Sequence, residues 1–168
     1  MPACAAAGAA FLIAVLWLDL MFDVQAHGHR GPTLPVEILS SIAAYYRRVT
    51  TDARPMGSLI SVVMLLTLLA IIAEIILGRT SWQIGWTSLV LALSAIGLAL
   101  FRTVRNAVRL GAGEGAPEGR TTIARKILGD HLFCLAAMSG VLCLQLIASA
   151  VTRVPTSPQL GAWRPRRG

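Results

Sequence analysis

Charge is scarce in this chain, and acid scarcest of all. Of its 168 residues only 14% are charged and eight are acidic, whereas a soluble globular domain carries about 25% charged residues. The chain is 55% hydrophobic with a mean hydropathy of +0.68. Its apolar residues fall in long runs rather than amphipathic pieces, which excludes an ordinary soluble domain. Cysteine is also sparse. Cys134 and Cys143 lie about 13 Å apart along one expected helix, too far to bridge, and Cys4 stands alone. With no CxxC and no metal spacing, all three read as small packing residues, and no metal site is expected. His27-x-His29 in a Gly-rich loop does not make one either. There is no Ser/His/Asp signature, phosphate loop, haem attachment motif or HExxH, so no cofactor is expected. Residues 1–4 carry no basic side chain, so the first apolar run reads as a membrane helix rather than a cleaved signal.

Four apolar runs long enough to cross a bilayer are present, at about 5–25, 56–77, 82–101 and 127–151. Between the first two, Pro35 and Glu37 suit a helix start, and Leu39, Ile42, Tyr46 and Val49 form one apolar stripe flanked by Arg47 and Arg48. Residues 35–51 are too polar to span and read as an amphipathic helix lying at the interface or folded under the spans. The segment Gly78–Ser81 permits only an antiparallel hairpin. Trp82 and Trp86 stand one turn apart, as an interfacial anchor would. Ser88/Ala92 and Ala95/Ala99 allow close helix contact. The expectation is an all-α integral membrane four-helix bundle with an interfacial amphipathic helix, one domain over 1–151, and a basic, disordered tail over 152–168.

The net charge of +7 is concentrated between the apolar runs. Topology and anionic headgroups account for it better than nucleic acid does, so the expected partner is the lipid bilayer, with a membrane protein or a second copy of the chain as a further possibility. Loops one and three hold ten Arg and Lys residues (Arg30, Arg47, Arg48, Arg54, Arg102, Arg105, Arg109, Arg120, Arg125, Lys126) against five on the other side. The positive-inside rule then places both termini outside, in the inner membrane of a bacterium.

Against this apolar background two carboxylates stand out. Asp19 and Asp23 close the first span four residues apart, on one helical face. An Asp at a bilayer centre costs roughly 2.5–3.5 kcal/mol, so something must face them. Hairpin topology brings Asp19, Asp23, Arg54, Arg102, Arg105, Asn106, Asp130 and His131 into one layer. Two readings follow. The charges are ion pairs that fix helix register, with Asp19 or Asp23 expected on Arg102 or Arg105. Alternatively they line a polar pocket in which His131 or an aspartate handles a proton. Glu74, near the far end of span two, is expected to snorkel to the surface, and Gln145 to bond across helices.

With four spans, a long first loop and Thr103-Val104-Arg105-Asn106-Ala107-Val108-Arg109-Leu110 after the third, the chain resembles the small four-helix membrane proteins related to anthrone oxygenase, the DUF1772 group. Asn106 matches that group, whereas Arg105 stands where it has proline and the acids of span one depart from its pattern. The resemblance implies oxidation of a polycyclic, phenol-like substrate without a bound cofactor. Since no catalytic motif stands out, the residues themselves lean toward a non-catalytic accessory or assembly subunit of a membrane complex. A membrane enzyme acting on a lipophilic small molecule at the polar layer is the alternative.

Overall fold

A computed structural model describes residues 2–29, 31–52 and 54–151, with the side chain of Arg54 outside the described set. Arg30 and the expected tail, 152–168, also lie outside the described residues. The described residues are mostly helical, with no strand among them. Helix α1 covers Pro2–Asp23, α2 Val36–Arg47, α3 Arg54–Ile76, α4 Trp82–Leu98, α5 Val104–Gly111 and α6 Pro117–Val151. A π-helical turn, Ala99–Thr103, joins α4 to α5 in one continuous helix, and another, Arg48–Asp52, prolongs α2. Four stretches are long and apolar enough to cross a membrane: Pro2–Ala26, Pro55–Ile76, Trp82–Gly111 and Pro117–Val151.

The four long helices pack in a closed order, α1 on α3, α3 on α4, α4 on α6 and α6 back on α1. Each neighbour is antiparallel, as the connections demand. The α3–α4 turn shows why. Gly78 adopts φ +60° and follows a helix that ends with Arg79 N–H bonded to Glu74 C=O at 3.0 Å and Gly78 N–H to Ile75 C=O at 3.2 Å. This is the paired cap that a left-handed glycine makes possible. The chain then reverses within a few residues and restarts at Trp82.

Two apolar clusters hold the molecule together. One lies among the long helices and contains Ala5, Leu12, Ile71, Leu89, Ala92 and Met138. Its many alanines let the helices approach closely, as the small residues of α4 suggested. The other sits at the end opposite the α3–α4 turn. There Leu39, Ile42, Ala43 and Tyr46 of α2 meet Ala107 and Leu110 of α5 and Ile127 of α6. The expected stripe is therefore buried against protein, except Val49, which falls in the π turn and is half-buried. Gly111 fixes the crossing: a Cβ there would lie 2.7 Å from the backbone nitrogen of Arg47. His29, Gly31 and Leu34 are tied to α6, where Arg125 Nη2 donates to His29 and Gly31 carbonyls at 2.7 Å and Thr121 Oγ1 accepts from Leu34 N–H at 3.0 Å.

Candidate functional site

The i, i+4 spacing of Asp19 and Asp23 turns both carboxylates toward the second cluster, where α2 presents two adjacent tyrosines. Tyr45 Oη donates to Asp19 Oδ1 at 2.5 Å and Tyr46 Oη donates to Asp23 Oδ1 at 2.6 Å. Phe22 stacks on the Tyr45 ring with centroids 4.0 Å apart and holds it in place. His131 of α6 completes the group. Its Nδ1 lies 2.6 Å from Asp23 Oδ2, and its Nε2 lies 3.9 Å from Asp19 Oδ2. Both oxygens of Asp23, a residue only 1% exposed, thus have a partner. Leaving either without one would cost about 1–3 kcal/mol. Burial, reinforced by the neighbouring carboxylates, holds both phenols above the ordinary tyrosine range, so they act as neutral donors.

Arg102 and Asp130 form a separate pair. Asp130, fully buried on α6, accepts from Arg102 Nη2, from Arg102 Nε at 3.0 Å and from Thr103 Oγ1 at 3.1 Å. Two consecutive residues can reach one carboxylate because they sit in the π turn, which adds a residue to the helical repeat. This corrects the expected pairing of Asp19 or Asp23 with Arg102 or Arg105. Those acids are met by tyrosines and a histidine, and Arg102 is taken up by Asp130. Arg105 is exposed on α5, Asn106 is half-buried, and neither lines the cavity described next. The side chain of Arg54 lies outside the described residues.

Next to the Asp–His–Tyr group is a cavity of about 780 Å³ between the long helices. Leu12, Leu16, Met64, Ile96 and Met138 give it apolar walls, and Asp19, Tyr46, Thr103 and His131 close one end with polar groups. A buried carboxylate meets the imidazole at Nδ1 and fixes its orientation, and His131 also lines the cavity, an arrangement able to handle a proton there. Because 3.9 Å exceeds hydrogen-bond range, Asp19 does not occupy Nε2. Among the described residues no group of three His, Cys, Asp or Glu could hold a metal ion.

The tyrosines were missed by sequence reasoning. The apolar stripe absorbs Tyr46, and the signal that could reveal the pair is two adjacent phenols on a helix that must lie under two unpaired acids. Gln145 does bond across helices, its Nε2 lying 3.3 Å from Ser88 Oγ, but Glu74 does not snorkel: it is 0% exposed and turned inward. Fold and site together define a helical protein with four helices able to cross a membrane. No family model, curated protein or solved structure matches this chain.

Proposed function

We propose that the chain is a four-helix membrane bundle that binds a lipophilic small molecule bearing a hydroxyl or phenol head, and that His131, held by Asp23, exchanges a proton with that head. The observation that carries this reading is the juxtaposition of an apolar cavity of about 780 Å³ with an oriented imidazole at its polar end. Ligand sites of this size are apolar with a few convergent polar groups, as here. Asp19 and Tyr46 supply an acceptor and a donor for the same head group. In the bilayer, α2 lies at the cytoplasmic interface, with Arg47 and Arg48 at headgroup level and both termini outside. The resemblance to the anthrone oxygenase-like proteins points to the same ligand chemistry, a phenol handled without a bound cofactor.

The test is the content of the purified protein. Organic extracts of the wild type should contain a lipophilic compound that is absent from Met138→Trp, which fills the cavity, while phospholipid remains the same in both. Extracts holding only bulk phospholipid, equal in the two proteins, would overturn the reading. A second reading, the non-catalytic accessory or assembly subunit, draws on the Arg102–Asp130 pair, whose charges are satisfied internally and serve helix register alone. It requires a stoichiometric membrane protein partner to co-purify with the chain.

A further inference from the structure

The end of the molecule that carries the α3–α4 turn holds a second polar group, about 21 Å from His131 along α6. Glu74 of α3, Gln145 of α6 and Ser88 of α4 are each 0% exposed. Among the described residues neither Glu74 oxygen has a donor, and Gln145 Oε1 has none, although Gln145 is the side chain beside the Glu74 carboxyl. Gln145 Nε2 is directed instead to Ser88 Oγ, at 3.3 Å. Acceptors therefore outnumber donors, and every missing bond is a missing hydrogen. One hydrogen on Glu74 satisfies two of these three oxygens: the carboxyl O–H donates to Gln145 Oε1 while Gln145 Nε2 keeps Ser88 Oγ, and the second carboxyl oxygen, now neutral, alone lacks a donor. An ionised Glu74 demands the opposite amide orientation, with Nε2 turned to the carboxylate and Ser88 O–H donating to Oε1.

We propose that Glu74 is a proton-binding site, its carboxyl neutral and donating to Gln145, so that a directed hydrogen-bond chain Glu74–Gln145–Ser88 ties α3, α6 and α4 together. The site is independent of the cavity and of the function assigned to it. Its surroundings supply little countercharge. Among the described residues the ionisable group of α1 at this end is the exposed Cys4, and the positive amino group of the chain acts on Glu74 from a distance. The turn contributes Arg79, which is exposed, α6 contributes the exposed Cys143, and α4 contributes nothing ionisable. Loss of the proton reverses the amide and the direction of the chain, which makes the state of Glu74 legible at Ser88.

Infrared difference spectroscopy of the full chain in phosphatidylcholine nanodiscs tests this at neutral pH. Wild type minus Glu74→Gln should show a protonated-carboxyl C=O band that moves down in D₂O. Gln145→Leu, which removes the acceptor, should move that band to higher frequency. A carboxylate doublet in place of the band would mean that Glu74 is ionised and compensated by the amino group, and would overturn the proposal. If Glu74→Gln does not fold, the comparison of Gln145→Leu with wild type decides alone. A shifted protonated-carboxyl band supports the chain, and an unshifted spectrum overturns it.

Discussion

Two buried acidic regions in one small protein solve the same problem in opposite ways. At the α2 end, carboxylates are met by donors: Tyr45 on Asp19, Tyr46 and His131 on Asp23, Arg102 and Thr103 on Asp130. At the α3–α4 end, Glu74 lies beside Gln145 and finds no donor among the described residues. The difference follows from what each end can recruit. The α2 end has an extra layer of chain, α2 and α5, that brings side chains from outside the four long helices. Among the described residues the turn end has only the helices themselves and a five-residue connection, 77–81, between two of them. A donor-rich site can stabilise charge, and a donor-poor one must avoid it.

The comparison is broken most severely at its centre. His131→Leu leaves Asp23 with one donor in a buried layer, and the loss of half of a buried charged pair costs about 3–5 kcal/mol. Thermal unfolding in detergent should therefore show a much larger destabilisation for His131→Leu than for Glu74→Gln, where a neutral amide isostere that can still donate to Gln145 replaces a neutral carboxyl. Equal losses would erase the distinction between the two ends.

Gly111→Val tests the extra layer rather than the charges. The new Cβ would be driven into the backbone of Tyr46 and Arg47, which cannot rotate away. Overpacking of this kind costs about 1–3 kcal/mol. Because it displaces the segment that carries Tyr46, the substitution should also weaken any ligand binding in the cavity without touching a lining residue. Unchanged stability in the same unfolding assay would mean that α2 is not seated against α5.

Much of this division could be read from the chain, and the limits are instructive. The four spans follow from length and hydropathy, and the α2 stripe from its period. Asp19 and Asp23 share a face because four residues are nearly one turn, and His131 falls in their layer by hairpin order. What hydropathy and period do not carry is rotational phase at an irregular turn. The π turn at Ala99–Thr103 swings Arg102 and Thr103 onto α6, so the arginines expected opposite α1 point elsewhere. Glu74 shows the same limit. It lies within a turn of the end of α3, but depth along a helix does not say which side a residue faces, and its side is the interior.

A smaller effect separates the two tyrosines. Tyr46 is 3% exposed and Tyr45 only half-buried, so removing the hydroxyl of Tyr46 strands a fully buried carboxylate oxygen while removing that of Tyr45 admits water. Tyr46→Phe should cost about 1–3 kcal/mol and Tyr45→Phe about 0.5–1.5 kcal/mol. Losses in the reverse order would place Asp19, rather than Asp23, at the heart of the site.

The slightest perturbation at neutral pH is also the cleanest readout, because the chain has only two tyrosines and both belong to the site. Any tyrosinate absorbance therefore reports on Tyr45 and Tyr46 alone. Burial beside carboxylates holds both phenols above their usual range, with burial the larger cause in each. An unfolded chain would release the same protons near pH 10. The folded state thus binds more protons than the unfolded state above that pH, and stability is complete below about pH 10 and falls as pH rises beyond it. Folded protein in detergent should show no tyrosinate signal at pH 10, whereas denatured protein at the same pH should be about half ionised. The double variant Tyr45→Phe/Tyr46→Phe should lose the alkaline fall in stability attributable to these phenols, while remaining less stable than wild type at neutral pH. A folded protein whose phenols ionise near pH 10 would mean that α2 does not bury them against the two aspartates, and the donor-rich end of the comparison would no longer hold.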